Sequence, residues 1–326
     1  MKRPVILTIF GTRPEAIKMA PLVKAVGNSD ELVSKVCVTA QHRQMLDQVL
    51  DIFDIDPDYD LNIMKEGQTL SGITNLVLDG VEKVLRELKP DMVLVHGDTT
   101  TTFAAALAAF YCKIPVGHVE AGLRTYDKYF PFPEEMNRKL TGCIADIHFS
   151  PTRNNFNNLV REGINPDNIF ITGNTAIDAL KSTVSDDYEF ENELLKKINY
   201  REKRIIAVTA HRRENLGQPL RNICYALKEI KQKYDDIEIV YPVHLNPLVQ
   251  GPVKDILGEM PGVHLTEPVQ VLDMHNLLAR SYLVLTDSGG LQEEAPSLGK
   301  PVLVLRNETE RPEAVEAGTV KVIGTE

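Results

Sequence analysis

The chain has 326 residues, 43% of them hydrophobic and 25% charged, which is typical of a globular protein with one large or two medium domains. Its formal net charge of −10 argues against a general nucleic-acid-binding protein, because proteins of that class are usually basic. The N-terminal apolar run from Val5 to Phe10 is too short for a signal peptide, and no stretch approaches the ~20 apolar residues of a membrane span, so we expect a cytoplasmic protein that binds neither nucleic acid nor membrane.

Short runs rich in β-branched residues alternate with helical patterns along most of the chain. The predicted strands are VILTIF (5–10), VCVTA (36–40), MVLVH (92–96), IPVGHVE (114–120), IHFS (147–150), IIAVTA (205–210), IEIVYPV (237–243), LVLTD (283–287) and PVLVLR (301–306). This alternation predicts an α/β fold with parallel sheets covered by helices on both faces. Residues 174–204 are polar and show no strand pattern. We therefore predict two Rossmann-like domains, 1–172 and 173–326, with a hinge near Gly173 and one cleft that both domains face.

The turn after the first strand has features of a phosphate site. In IFGTRPEAIKMAPL (9–22), Gly11 permits a tight turn, and Arg13 and Lys18 lie near the start of the next helix. An ordinary strand-to-helix turn with solvated charges explains the same residues about equally well. The sequence contains neither G-x-G-x-x-G nor GxxxxGK[ST], so we predict no nicotinamide cofactor.

Three carboxylates of the first domain follow strands or begin a helix. Asp98 follows a strand in HGDTTTT, Glu120 ends the next strand in GHVEAGLRT, and Glu134 follows Pro133 at a helix start. Helix capping explains Asp98 alone, and the helix dipole explains Glu134 alone. Because ligands of such sheets lie outside the carboxyl ends of the strands, the three together predict a group for acid–base chemistry. No ligand spacing indicates a metal.

The second domain has two junctions that suit a nucleoside diphosphate. TAHRRENLG (209–217) follows a strand and contributes His211 and Arg212, although a solvated charge run is the alternative interpretation. In LTDSGGLQEE, the run Ser288–Gly289–Gly290 offers backbone N–H groups at a helix start, which suit a diphosphate. Glu294, one turn further on, can accept hydrogen bonds from a ribose diol.

These motifs resemble those of the non-hydrolysing UDP-N-acetylglucosamine 2-epimerases over nearly the whole chain, from Phe10 to Ala314. The motifs that carry the resemblance are FGTRPEAIKMAPL, HGDTTTT, GHVEAGLRT, FPEEMNR, GNTAIDAL, TAHRREN and TDSGGLQEEAPSLGKPVLVLRNETERPEA. The resemblance implies a glycosyltransferase-B-like fold, a homodimer, and interconversion of UDP-N-acetylglucosamine and UDP-N-acetylmannosamine without a cofactor. It places Asp98, Glu120, Glu134 and His211 at the reacting sugar, and Arg13, Lys18, Ser288, Gly289, Gly290, Glu294 and Arg311 on the UDP-sugar. It also implies a second, allosteric substrate site that includes Gln41, Gln44, Arg212 and His244.

Two features depart from the family pattern. Val269 and Met274 stand where relatives often carry other residues near the uracil, and relatives continue past KVIGTE into a further helical segment, so we expect this segment to be missing. The expected reaction expels UDP while a base removes the C2 proton, giving a 2-acetamidoglucal to which UDP re-adds. The sequence does not assign the acid and the base among the three carboxylates. A UDP-sugar-dependent glycosyltransferase and a non-catalytic nucleotide-sugar sensor remain the alternatives.

Overall fold

The computed structural model describes residues 2–40, 43–65, 67–309 and 312–326. The chain forms two compact units, Met1–Ala179 and Leu180–Glu326, and the division falls inside a helix, Thr175–Thr183. The predicted polar segment 174–204 contains this helix and a short second one, and a strand begins only at its last residue, Arg204. None of the described helices is long and apolar enough to cross a membrane.

The first unit alternates strands and helices from its first strand onward. Its strands are β1 (Val5–Phe10), β2 (Val33–Val38), β3 (Tyr59–Asp60), β4 (Met92–His96), β5 (Val116–Val119), β6 (Ile147–Ser150) and β7 (Ile169–Ile171). Its helices are α1 (Arg13–Gly27), α2 (Arg43–Ile52), α3 (Leu70–Leu88), α4 (Thr100–Tyr111), α5 (Glu134–Ile144) and α6 (Arg153–Arg161), followed by α7 (Thr175–Thr183).

The strands of the first unit form one parallel sheet in the order β3-β2-β1-β4-β5-β6-β7. Successive residues of a strand point to opposite faces, and both faces are buried here. Leu7 and Ile9 pack in the apolar cluster that includes α3 and α4, whereas Phe10 packs in the cluster that includes α1 and α2. The order reverses between β1 and β4, and such a switch point is where ligands of α/β sheets bind.

The second unit repeats this architecture. Its helices are α8 (Glu193–Lys196), α9 (Gln218–Lys233), α10 (Pro247–Leu257), α11 (Val271–Arg280), α12 (Leu291–Ser297) and α13 (Pro312–Glu316). Its strands are β8 (Arg204–Thr209), β9 (Ile237–Pro242), β10 (Val263–Thr266), β11 (Leu283–Thr286), β12 (Val302–Val304) and β13 (Val320–Val322). They form a parallel sheet in the order β10-β9-β8-β11-β12-β13, whose switch point lies between β8 and β11.

The core of the second unit also has two faces. Ile206 and Val208 pack in a cluster with residues of α9 and α10, while Ile205 and Ala207 pack in a cluster with residues of α11 and α12. Each unit is thus a sheet covered by helices on both faces, and the predicted α/β class is confirmed.

Candidate functional site

The turn after β1 brings a cation to the start of α1. Gly11 leaves no space for a side chain, because an added Cβ would lie 2.0 Å from Oγ1 of Thr39 and 2.8 Å from Oγ1 of Thr101. Arg13 is the first residue of α1 and is partly buried, and burial lowers the pKa of its guanidinium. It forms no ion pair with any residue that the structure describes. An unpaired cation at a helix start suits an anionic ligand.

Glu15 joins the starts of two helices. Its Oε2 accepts the backbone N–H groups of Gly11 and Thr12, at 3.0 and 2.8 Å. Its Oε1 accepts the hydroxyls of Thr99 and Thr102, at 2.6 and 3.1 Å, and these residues belong to the start of α4. The carboxylate is 2% exposed, so the turn after β1 is fixed to the turn after β4.

Asp98 lies in the turn between β4 and α4, beside the switch point. Its Oδ2 accepts a hydrogen bond of 2.7 Å from Arg138, and its backbone carbonyl accepts one of 2.9 Å from the side chain of Asn137. Burial raises the pKa of Asp98, and the charges of Glu120 and Glu134 raise it further, against the opposing effect of Arg138. A raised pKa makes the protonated form of the carboxyl more accessible, which suits a group that both holds and releases a proton.

Glu120 follows β5 in the left-handed backbone region, at φ 61°. Lys18 lies 2.7 Å from each of its carboxylate oxygens, and Nε2 of His96 lies 2.9 Å from Oε2. Burial alone would raise the pKa of Glu120, but Lys18 and His96 hold it well below its usual value. Glu120 is therefore a fixed negative charge, paired with the lysine that the sequence analysis assigned to the UDP-sugar.

Glu134 is the first residue of α5, and its charge acts on Asp98. The three predicted carboxylates therefore lie in the turns after β4 and β5 and at the start of α5, where the charges of Glu120 and Glu134 act on Asp98. Burial lowers the pKa of His118 to about 3, so its ring is neutral, and Nε2 donates to the carbonyl of Gly97 at 2.8 Å. Gly97 has φ 69°, which makes this turn possible next to Asp98.

The switch point of the second unit carries His211 after β8 and Asp287 after β11. Oδ2 of Asp287 accepts the backbone N–H groups of His211 and Arg212, at 2.7 and 2.8 Å, and the side-chain amide of Asn215 at 3.0 Å. Asn215 also donates to the carbonyl of Leu305 at 2.9 Å. The loop after β8 is therefore held by a fully buried carboxylate.

The predicted diphosphate junction needs one correction. The N–H of Ser288 donates to Oγ1 of Thr286 at 2.9 Å, so this group is already occupied. Within the described part of the chain, no hydrogen bond is found for the N–H groups of Gly289 and Gly290, which precede α12. Glu294 lies in the first turn of α12 as expected. The glycines thus remain candidates for anion binding, whereas the backbone of Ser288 does not.

The residues assigned to an allosteric site are only partly described. The rings of His211 and His244 stack with centroids 5.1 Å apart and an interplanar angle of 5°. Arg212 is the N-cap of the 3₁₀ turn Arg213–Asn215, which follows β8. Gln41 and Arg311, which was assigned to the UDP-sugar, lie outside the described residues, as does the side chain of Gln44.

The sequence model of the UDP-N-acetylglucosamine 2-epimerases matches residues 24–326. The chain belongs to this family. A relative from Clostridium acetobutylicum is 64% identical over 326 residues, covering 100% of this chain and 85% of that protein. The UDP-N-acetylglucosamine 2-epimerase of Bacillus subtilis is 59% identical, with the same two coverages. The crystal structure of the Neisseria meningitidis UDP-GlcNAc 2-epimerase bound to UDP-GlcNAc matches with TM-score 0.85 and 52% identity, covering 99% of this chain and 88% of that one.

Epimerase-family membership confirms the resemblance seen in the motifs. The sequence analysis nevertheless missed four polar residues that hold the predicted ones in place: Glu15, His96, Arg138 and Asp287. Each stands inside a motif that was quoted or next to a predicted strand, but its type alone did not separate it from a helix cap or a solvated charge. Only the fold brings each of them to its partner.

Proposed function

We propose that this chain interconverts UDP-N-acetylglucosamine and UDP-N-acetylmannosamine. The observation that carries the proposal is the group of Asp98, Glu120 and Glu134 in a member of this family. The reaction breaks the bond between C1 and the diphosphate oxygen while a base removes the proton on C2. UDP and a 2-acetamidoglucal result, and re-addition of UDP with delivery of a proton to the opposite face of C2 gives the epimer.

The pKa differences support a division of roles among the carboxylates. Inversion at C2 needs a proton carrier on each face of the sugar, and general acid–base groups contribute typically 10²–10⁴-fold each. Asp98, with its raised pKa, suits one carrier, and Glu134 at the start of α5 is proposed as the other. Glu120 stays ionised beside Lys18 and is proposed to stabilise the positive charge that develops at C1 as UDP departs.

Each unit has residues that are proposed to bind an anionic part of the UDP-sugar. In the first unit these are Arg13 and Lys18, and in the second they are His211 and the N–H groups of Gly289 and Gly290. Glu294 is proposed to accept the ribose hydroxyls. The partly buried guanidinium of Arg13, which forms no ion pair with a described residue, supports this assignment most directly.

A proton NMR experiment in heavy water tests the function. Incubation with UDP-N-acetylglucosamine should produce a second anomeric signal and incorporate deuterium at C2. A glycosyltransferase would require an added acceptor and leave C2 protonated. A nucleotide-sugar sensor would leave the spectrum unchanged, and either result would exclude the epimerase.

We also propose, from the family resemblance, a homodimer and a second binding site for UDP-N-acetylglucosamine that includes Arg212 and His244. A cytoplasmic location is proposed because all four cysteines are free, as is usual in a reducing compartment.

Light scattering tests the proposed dimer. A sigmoidal dependence of the rate on UDP-N-acetylglucosamine, lost in His244→Ala, tests the second site.

A further inference from the structure

The buried carboxylate of Asp287 is used on one side only. Its Oδ2 accepts three hydrogen bonds, from His211 N, Arg212 N and the Asn215 side chain. Its Oδ1 is equally buried but receives no hydrogen bond from any described residue. An ionised carboxylate with one unsatisfied buried oxygen is costly, so Oδ1 is expected to have a use in the working protein.

The ring of His211 approaches that oxygen. Its Nδ1 lies 3.7 Å from Oδ1 of Asp287, which is slightly too long for a hydrogen bond. The backbone of the loop is already fixed, because Tyr241 also donates its hydroxyl to the carbonyl of Ala210 at 2.6 Å. Shortening the distance between Nδ1 and Oδ1 by about 0.5 Å would bring it into hydrogen-bond range.

We propose that Asp287 is a positioning residue that accepts the Nδ1 proton of His211 and thereby fixes its tautomer. The neutral ring then has its lone pair on Nε2, and the protonated ring presents Nε2–H. Asp287 thus turns one nitrogen of His211 away from its own loop, toward whatever anion the loop binds. That this anion is the departing diphosphate rests on the proposed function, but the tautomer does not.

The neighbours of His211 agree with this arrangement. His244 stacks on the ring, and its own Nδ1 accepts the backbone N–H of Asn246 at 3.1 Å, so His244 carries its proton on Nε2 when neutral. Burial lowers the pKa of His211, Asp287 raises it, and His244 and Arg212 lower it. Among these groups only Asp287 favours the imidazolium, so its charge keeps His211 able to bind a proton when an anion arrives.

Asp287→Asn is the sharpest test, because it keeps the three hydrogen bonds that hold the loop and reverses the direction of the proposed hydrogen bond with His211. The asparagine carbonyl can accept the three bonds now made to Oδ2, while its amide nitrogen replaces Oδ1. That nitrogen donates and cannot accept, so His211 has to carry its neutral proton on Nε2. Tyr241→Phe is the matched control, since it loosens the same loop through Ala210 and leaves Asp287 in place.

The measurement is a long-range proton–nitrogen NMR spectrum of the ligand-free protein, with His211 assigned among the eight histidines by His211→Gln. We expect the Nδ1–H form in the wild type and in Tyr241→Phe. In Asp287→Asn we expect Nε2–H, a lower His211 pKa and a kcat lower by about 100-fold or more. A wild-type Nε2–H form, an unchanged tautomer in Asp287→Asn, or the same change in Tyr241→Phe would overturn the proposal.

The wild-type spectrum decides alone if Asp287→Asn does not fold, because Nδ1–H is the minor form of free histidine. The tautomer is measured without substrate. A protein that never epimerises UDP-N-acetylglucosamine would therefore contradict the proposed function and leave this assignment standing.

Discussion

Arg138 donates a hydrogen bond of 2.7 Å to Asp98, from the second turn of α5 to the turn after β4. Burial raises the pKa of the Asp98 carboxyl, and the charge of Arg138 lowers it. Arg138 therefore sets how readily Asp98 holds a proton, and the balance between the two effects can be measured.

Replacing Arg138 by glutamine should raise the pKa of Asp98 further, because Arg138 lowers that pKa more than His96, the other opposing group, does. The part of the kcat/KM–pH profile that reports the ionisation of Asp98 should then move to higher pH, and kcat at neutral pH should fall. Arg86→Gln is the control, since Arg86 pairs with Glu82 on the exposed face of α3. A profile that does not move in Arg138→Gln would show that the ionisation of Asp98 does not determine the pH dependence of kcat/KM.

Asp98→Asn and Glu134→Gln should each reduce kcat by about 10²–10⁴-fold while UDP affinity changes little, because each removes a proton carrier. Deuterium incorporation at C2 should fall in parallel. Glu120→Gln should also lower kcat, but through loss of a charge beside Lys18. Wild-type rates in all three variants would contradict the assignment of the carboxylates.

Glu294→Ala should weaken UDP binding by about 1.5–3 kcal/mol, the usual range for a hydrogen bond to a charged group. Val269→Ala should change it little, because Val269 is an apolar residue packed against the core of the second unit. Calorimetry with UDP measures both. Equal losses at the two positions would show that the ribose is not bound by Glu294.

Acid should destabilise the protein partly through Glu120. Its pKa is depressed in the folded state, so its contribution to stability is complete above the unfolded pKa of about 4.3 and is lost as pH falls toward the folded value. Glu120→Gln should therefore flatten the dependence of the unfolding free energy on pH in this range. Glu229→Gln, at an exposed position of α9, is the control and should leave the slope nearly unchanged.

Gly11→Ala should destabilise the first unit strongly, since its Cβ would lie 2.0 Å from Oγ1 of Thr39. Gly251→Ala is the matched control in α10, where an added Cβ meets nothing within 4 Å. It should change the stability of the protein little, because Pro252 restricts the helical conformation of the residue before it and offsets the gain in helix propensity. Thermal unfolding measures the two, and a similar effect at both positions would show that the turn after β1 is not tightly packed.

The sequence predicts the central strands well and the edge strands poorly. β1, β4, β8 and β11 lie beside the switch points, are buried on both faces, and therefore form continuous apolar runs. The strands that were missed lie at or near the sheet edges, where fewer residues are buried. β3 has two residues and β13 reads VKV, so neither gives a clear pattern.

The site shows the same division between what is local and what is not. Asp98 and Glu120 could be found because each follows a strand that periodicity reveals. The partners of these residues come from other elements: Arg138 from α5 and Lys18 from α1. Periodicity within one segment does not report such pairing, and the occupied N–H of Ser288 depends on a hydroxyl whose direction only the structure gives.

In the first unit, the side chain of Glu15 links the start of α1 to the start of α4. Because one carboxylate receives donors from the start of α1 and from the start of α4, the two helices cannot be adjusted separately. An anion drawn to the start of α1 competes with Glu15 for the same donors. Any shift that the anion causes there reaches the turn that carries Asp98 through the side chain of Glu15. Anion binding at the first turn of α1 and the position of the Asp98 carboxyl are therefore coupled.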